Sequence, residues 1–399
     1  MWLSDFRVVL PETVLPQGSV RLEGARIAEV TDRPVPGAAI DGRGLLLMPG
    51  FIDMHGDMIE RELEPRPNVP MPLELGLRDL DRRLKVAGVT TGYAAVSFNP
   101  RSAYGHLRSH ENSKRILRGL KAMRGALKVD HRVHARFEIG FPEALDVVNE
   151  LIAEGTVDLV SLTDHTPGQG QYRDLERLAA QQMKTKGLTE AEAQAAIAEK
   201  IEARRASAGD VGATLAAISA SCAAQDIALA SHDDDTIEKV ALMQSLGARI
   251  SEFPVTLEAA EAARARGLLT AMGAPNALRG ESYSGNLSAR AAYAAGLLDM
   301  LAADYHPSAI LPALLALAPL RPGGLAEATR LATRTPARAL HLTDWGEIAP
   351  GKLADLVIAD DQGVGHVRAT LRAGQPIYSD GSLPLGQAVP TPLPQGEMQ

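Results

Sequence analysis

Histidines and carboxylates follow several apolar segments of the chain, at the points where those segments end. The stretch "GFIDMHGDM" (50–58) leads into His55 and Asp57, which lie two positions apart and share one face of an extended chain. Imidazole and carboxylate groups side by side are ligands for zinc, or for manganese where oxygen predominates. Residues of the same types end later apolar segments: Glu138, Asp164, His165, the run His232 to Asp235, Glu252 and Asp304.

Each of these residues also has an ordinary structural interpretation. A single strand-end histidine is commonly a hydrogen-bonded surface group, and Asp233 to Asp235 could cap the helical pattern "TIEKVALMQSL". However, convergence from several strands on one place would leave carboxylates and imidazoles unpaired without a cation, which favours a metal site. The single cysteine, Cys222, lies in the helical pattern "LAAISASCAAQ" and is interpreted as a buried apolar residue.

The elements that must position these residues alternate between strand-like and helical patterns. Eight strand-like segments with helical patterns between them predict a closed parallel (β/α)8 barrel, a TIM-like α/β fold, with an open doubly wound sheet as the competitor. In such a barrel the active-site residues collect at the C-terminal ends of the strands. The eight segments are 51–55, 89–96, 132–139, 157–163, 227–231, 248–253, 268–272 and 297–304.

Short strands with tight turns at both ends of the chain predict a second, smaller unit. Residues 1–48 and 345–380 are expected to form one small β-sandwich domain beside the barrel of residues 49–344. Residues 173–206 predict a long helical excursion after the fourth barrel strand, where it could form a lid. Residues 381–399 contain several prolines and no apolar periodicity, and are expected to be unstructured.

Composition and charge argue against several classes of protein. The 399 residues carry a net charge of −8 with a pI near 5.7, which disfavours nucleic-acid binding through bulk charge. The apolar run at 309–320 is shorter than the roughly 20 residues that a membrane span needs. The N-terminus also lacks the basic and then apolar pattern of an export signal. We therefore expect a cytoplasmic protein without membrane or nucleic-acid partners.

Longer motifs resemble a known family. The opening "MPGFIDMHGD", the strand-end Asp304 and "GEIAPGKLADLVI" resemble the amidohydrolase superfamily of metal-dependent hydrolases. Within it, the closer resemblance is to the diphosphatases that act on α-D-ribose 1-methylphosphonate 5-triphosphate in the carbon–phosphorus lyase pathway, and it covers nearly all of 1–380. It is carried by "HGDMIERELEPRPNV", "VSLTDHTPGQGQYRD", "LASHDDDT", "EFPVTLEAAEAARARGLLTAMGAPNALRG", "SGNLSA" and "GLLDMLAADYHPSAIL".

This resemblance implies a metal site and a reaction. The cofactor would be one or two divalent ions, zinc before manganese or iron, and the role of Glu252 stays open. The reaction would be hydrolysis of the 5-triphosphate to the 5-phosphate and pyrophosphate in phosphonate catabolism, with Asp304 as general base. The implied metal ligands are His55, Asp57, Glu138, His165, His232 and Asp304.

The substrate is the least determined part of this interpretation. A triphosphate should be surrounded by arginines, and the candidate substrate-binding residues are Arg66, Arg173, Arg279 and Asn286. The family motif Gly-Gly-Ser-His-Ser-Gly-Asn is altered here, because Glu281 replaces a glycine and Tyr283 replaces the histidine.

Two other interpretations therefore stay open. The first is a diverged amidohydrolase that acts on an amide, a cyclic amide or another phosphate ester. The second and more remote one is a non-catalytic sensor that binds metal and ligand. A small phosphorylated molecule is the expected partner, and self-association into a homo-oligomer is compatible with a barrel of this type.

Overall fold

The computed structural model describes residues 1–66, 69–99, 106–206, 208–282 and 285–385. In chain order the strands are β1 (Trp2–Val9), β2 (Val14–Glu23), β3 (Arg26–Thr31), β4 (Ile40–Asp41), β5 (Leu46–Pro49), β6 (Phe51–Gly56), β7 (Val89–Ser97), β8 (Asp130–Glu138), β9 (Leu159–Thr163), β10 (Ala228–His232), β11 (Ile250–Glu252), β12 (Leu269–Gly273), β13 (Met300–Ala302), β14 (Leu356–Asp360), β15 (His366–Arg372) and β16 (Gln375–Ser379).

Helices separate the strands in the middle of the chain. They are α1 (Ile59–Leu63), α2 (Leu73–Val86), α3 (His110–Met123), α4 (Leu145–Ala153), α5 (Leu175–Lys186), α6 (Glu190–Ala206), α7 (Ala208–Ala224), α8 (Ile237–Ser245), α9 (Leu257–Ala265), α10 (Ala274–Arg279), α11 (Ala289–Ala294), α12 (Ile310–Leu317), α13 (Gly324–Arg330) and α14 (Arg334–Ala339). None of the helices in the described part of the chain combines the length and the apolar character that crossing a membrane requires.

The predicted barrel is confirmed. Strands β6 to β13 form one parallel sheet in the order in which they occur in the chain, and they match the eight predicted segments. Strand β7, "VTTGYAAVS", is buried at every position, as expected for a parallel strand that is covered on both faces. Helices α8 and α9 each begin at a threonine whose hydroxyl accepts a backbone N–H of the first turn, Thr236 and Thr256.

The barrel closes between its first and last strands at the same end where the polar residues collect. The Asp57 N–H donates to the Asp304 carbonyl (2.7 Å), and the Asp304 N–H donates to the His55 carbonyl (2.9 Å). Below these bonds, the buried Asp53 carboxylate accepts the N–H groups of His55 (3.1 Å) and Ala303 (2.8 Å). The closure therefore fixes the backbone of His55, Asp57 and Asp304 relative to one another.

The small β-domain built from both chain ends is confirmed as well. Its strands form one sheet in the order β16-β15-β14-β5-β1-β2-β3, with β4 paired to β1. An isolated antiparallel bridge joins Arg26, at the start of β3, to Leu353, before β14. The sheet packs on its own apolar core, which includes Phe6, Val20 and Leu356. The exact boundaries at 48/49 and 344/345 stay predictions, and the predicted tail lies outside the described residues from 386 onward.

The predicted helical excursion after the fourth barrel strand consists of α5 and α6. The two helices pack on each other through Leu178, Ala179, Ala193 and Ile197, which form a small buried cluster of their own. Asp174 caps α5 by accepting the N–H of Arg177 (3.0 Å). The role of this helical pair as a lid stays a prediction.

Candidate active site

A cavity of about 250 Å³ opens at the C-terminal ends of the barrel strands. Its lining combines histidines, carboxylates and an arginine with a few apolar residues, and it is the place to which the sequence directs the chemistry. The lining residues at the ends of the strands are His55, Asp57, Arg136, His232, Asp233, Phe253 and Asp304, and those on the rim include Asn276, Arg279, Glu281 and Asn286.

A fully buried carboxylate, Glu252, holds two of the histidines from below. Its Oε2 lies 3.2 Å from His55 Nδ1 and 3.0 Å from His232 Nδ1, and the two imidazole rings are nearly parallel at 5.4 Å. Burial alone would raise the pKa of Glu252, but the charge of His55 and the hydrogen bonds from His55 and His232 hold that pKa well below its usual range. Burial would likewise lower the pKa of His55, but the Glu252 and Asp57 carboxylates raise it to about 10. Both histidines therefore donate their Nδ1 protons to Glu252, which turns each Nε2 toward the cavity.

His134 lies in the interior of the barrel beside this network. Its Nε2 is 3.6 Å from Glu252 Oε1, and both of its ring nitrogens are buried without a hydrogen-bond partner among the described residues. Burial lowers the pKa of His134 to about 3, so its imidazole is neutral. A neutral buried imidazole without partners is an unusual feature, because buried polar atoms are normally hydrogen-bonded.

Glu138 and His165 form a second carboxylate–histidine pair. The His165 Nδ1 lies 2.5 Å from Glu138 Oε2, and the His165 backbone N–H donates to Glu138 Oε1 (3.0 Å). Glu138 is therefore directed at His165 and fixes its ring orientation. The ligand atoms of His165, His232 and Asp233 lie within 4.8 Å of one another, close enough for one ion to reach all three.

An arginine crosses the middle of the barrel mouth. Arg136 lies on β8, and its Nη1 contacts both carboxylate oxygens of Asp57 at 2.8 and 3.0 Å. Its Nη2 lies 3.3 Å from His232 Nε2. Burial alone would lower the pKa of Arg136, but the Asp57 and Glu252 carboxylates raise it, so the guanidinium stays charged.

Asp304 stands at the last strand end, across from Asp57. Burial, followed by repulsion from Asp57, raises the pKa of Asp304 to about 7. Its side chain lies against Gly273, where an added Cβ would come within 3.1 Å of Asp304 Oδ2. Any larger residue at position 273 would therefore crowd this carboxylate.

Three residues just after the strand ends adopt left-handed backbone conformations. These are Asp233 (φ 55°), Phe253 (φ 53°) and Asp304 (φ 55°). Aspartate tolerates this region, whereas a bulky phenylalanine there is an outlier of the kind that clusters at functional sites. The turn places the Phe253 ring edge-on against His55 and His232, at 5.0 and 5.1 Å.

The structure brings most of the predicted site residues together. His55, Asp57, His232 and Asp304 line the cavity, and Arg279 and Asn286 lie on its rim. Glu138 and His165 lie beside the cavity, where the ligand atom of His165 is close to that of His232. Arg66 and Arg173 are exposed and are not among the described residues that line the cavity. Tyr283 lies outside the described residues.

Four residues of the site were outside the predicted ligand and substrate sets: His134, Arg136, Asp233 and Glu252, whose role was left open. Asp233 was counted among the polar strand-end residues, with a helix cap as its alternative interpretation. His134 and Arg136 occupy alternate positions with Glu138 in "HARFE", so the three side chains share the inward face of β8. That period-2 pattern was the available signal.

The donors of this site fit a divalent metal ion. Imidazoles and carboxylates converge on it, two groups of three lie within reach of a single ion, and His134 presents unpartnered nitrogens. The two groups are His55, His134 and Glu252, and His165, His232 and Asp233. Mixed nitrogen and oxygen donors without cysteine are typical of catalytic rather than structural zinc sites, and also suit manganese.

Comparisons with known proteins agree with this geometry. Residues 173–378 match the model of the amidohydrolase family. The chain is 36% identical over 391 residues to α-D-ribose 1-methylphosphonate 5-triphosphate diphosphatase of Escherichia coli (strain K12), covering 95% of this chain and 100% of the relative.

Solved structures share the fold at lower identity. N-acetyl-D-glucosamine-6-phosphate deacetylase from Mycobacterium smegmatis superimposes with a TM-score of 0.62 at 17% identity, covering 95% of this chain and 100% of that one. A Xaa-Pro dipeptidase gives a TM-score of 0.64 at 14% identity, covering 95% and 99%. Together with the strand-end site, these similarities show that the chain is a metal-dependent hydrolase and belongs to the amidohydrolase family.

Proposed function

We propose that this hydrolase cleaves α-D-ribose 1-methylphosphonate 5-triphosphate to the 5-phosphate and pyrophosphate. The observation that carries the proposal is the 36% identity to a diphosphatase of that name, which extends over 95% of the chain and the whole relative. Two arginines, Arg136 on the floor and Arg279 on the rim, line the cavity. Guanidinium groups suit a substrate with several phosphoryl groups, because they donate paired hydrogen bonds to phosphate oxygens.

His165, His232 and Asp233, with His55 and Asp57 beside them, would hold the divalent metal. A metal ion bound there would polarise a phosphoryl group of the substrate and lower the pKa of a bound water molecule. Glu252 and Glu138 prepare His232 and His165 for this role, because each carboxylate accepts the Nδ1 proton and leaves Nε2 as the ligand atom.

Asp304 would accept the proton of the attacking water. Its pKa of about 7 in the metal-free protein suits a base near neutral pH, and its closure bonds to His55 and Asp57 hold it beside the ligands. Arg279, on the rim, would bind the phosphates that leave as pyrophosphate, where negative charge increases during the reaction.

A second candidate is a diverged amidohydrolase acting on an amide, a cyclic amide or another phosphate ester. Glu281 favours it, because this exposed carboxylate lines the rim and lies 3.7 Å from Arg279 Nη2. A negative charge there repels a polyphosphate and competes for the arginine. Replacement of Glu281 therefore separates the two candidates.

The deciding experiment is a substrate panel with the zinc- and manganese-loaded protein. Pyrophosphate release from the ribose 5-triphosphate is expected for the wild type and is expected to be lost in Asp304→Asn. A wild type that cleaves N-acyl or cyclic amides but no triphosphate, together with a Glu281→Gly variant that gains triphosphate cleavage, would support the second candidate instead.

A further inference from the structure

Arg136 occupies the centre of the metal site, a position where a second cation could otherwise lie. Its side chain is 9% exposed and reaches from the third barrel strand to Asp57, after the first strand, and to His232, at the end of the fifth. Its Nε is buried without a hydrogen-bond partner among the described residues, so the guanidinium is held by these two contacts. Both contacted residues belong to the ligand set that the sequence implies.

The hydrogen-bond directions show that both ligands are turned toward the guanidinium. His232 donates its Nδ1 proton to Glu252, so its Nε2 carries the lone pair and accepts from Arg136 Nη2. Asp57 uses both carboxylate oxygens on Arg136 Nη1. A lone pair and a carboxylate that converge on one positive group are the environment that a metal ion needs.

The two possible ion-binding groups differ in how readily an ion could bind to them. In the group of His55, His134 and Glu252, the carboxylate already accepts two Nδ1 protons, which an ion would have to displace. The group of His165, His232 and Asp233 includes two residues that line the cavity. An entering ion would take His232 Nε2 from Arg136 Nη2, a contact of 3.3 Å, and leave the shorter contacts of Arg136 Nη1 with Asp57 in place. This second group is therefore the better place for an ion.

We propose that the Arg136 guanidinium acts as a built-in second cation beside Asp57, so that this enzyme binds one divalent ion, at His165, His232 and Asp233, instead of two. The guanidinium neutralises Asp57 without desolvating a second metal ion. Two divalent ions and a guanidinium within one cavity would repel one another at short range. The inference concerns the number of ions and does not depend on which substrate the enzyme hydrolyses.

The test is a count of bound metal in the full-length protein. Metal is removed with a chelator, zinc or manganese is returned in excess, and the protein is separated from free ion and analysed for metal content. The wild type should hold about one equivalent with tight binding. Arg136→Met, which keeps the length of the side chain but removes its charge, should hold two, because Asp57 is then free to bind an ion.

Two further variants make the count specific. Arg136→Lys keeps a positive charge beside Asp57 and should stay at one equivalent. Arg279→Met removes a guanidinium from the rim of the same cavity and should also stay at one. A wild type with two tightly bound equivalents would overturn the proposal even if Arg136→Met failed to fold. A folded Arg136→Met protein that still holds one equivalent would overturn it too.

Discussion

Glu252 is the residue whose replacement tests the architecture of the site most directly. It is fully buried, it is not among the described residues that line the cavity, and its Oε2 accepts the Nδ1 protons of both His55 and His232. We expect Glu252→Gln to keep the fold, because glutamine has the same shape and its amide oxygen can accept the same two bonds. The charge, however, is lost.

The size of the effect follows from those two hydrogen bonds. Bonds to a charged partner contribute about 1.5–3 kcal/mol each and neutral ones about 0.5–1.5 kcal/mol, so losing the charge costs about 1 kcal/mol per bond. The free energy of unfolding of the metal-free protein should therefore fall by about 2 kcal/mol. A neutral acceptor also makes each imidazole less basic and fixes its tautomer less firmly, so metal affinity should fall about 10- to 100-fold.

Two measurements check this prediction. Urea unfolding of the metal-free protein reports the stability change, and competition with a coloured chelator reports the metal dissociation constant. Glu281→Gln is the matched control, because it makes the same change on the exposed rim, away from the histidines. A Glu252→Gln variant that binds metal within about threefold of the control would refute the idea that Glu252 orients the ligands.

Three other replacements test separate parts of the molecule. Asp304→Asn should retain metal but lose about 10²-fold or more in turnover, the share of a positioned general base; near-normal turnover would rule out that role. Arg279→Ala should lower kcat/KM for the triphosphate by about 1.5–3 kcal/mol, equivalent to one lost charged hydrogen bond, and an unchanged value would exclude contact with the phosphates. Asp355, where burial raises the pKa to about 6, holds its proton more tightly in the folded state, so its contribution to stability is lost as pH rises from 4 through 6. The free energy of unfolding of Asp355→Asn should therefore exceed that of the wild type by up to about 3 kcal/mol at pH 7.5 but not at pH 4. If urea unfolding gives the same difference between the two proteins at both pH values, the assignment is contradicted.

The barrel could be predicted from the sequence because its strands carry a simple signal. Buried parallel strands read as short apolar runs, and the polar residue that ends each run marks the mouth. The count of eight was sufficient to place histidines after the fourth and fifth strands, at His165 and His232, and Glu252 at the end of the sixth. The structure adds that Glu252 contacts the histidines from below, at a distance that strand order alone does not give.

The sequence analysis and the structure differ at two kinds of position: residues inside a strand that were not predicted, and loop residues that were predicted but do not line the cavity. His134 and Arg136 precede the end of β8, and only the polar residues that end each strand were taken as candidates. Arg66 and Arg173 were chosen for their motifs, but the path of a loop after a strand depends on packing that the local sequence does not encode. Both are exposed, and their contact with the substrate stays a prediction.

The floor and the rim of the cavity differ in how strongly the fold constrains them. On the floor, Glu252 and Arg136 are buried and contact His55, His232 and Asp57, so changing either leaves another charged or polar group without a partner. On the rim, Arg279 and Glu281 are largely exposed and 3.7 Å apart, where an ion pair contributes little to stability. Rim residues can therefore change with little effect on stability, whereas changes on the floor lower the free energy of unfolding. This asymmetry is the physical reason why similarity to a relative supports the metal chemistry more firmly than it supports the substrate, and why the rim pair is the place to test the substrate.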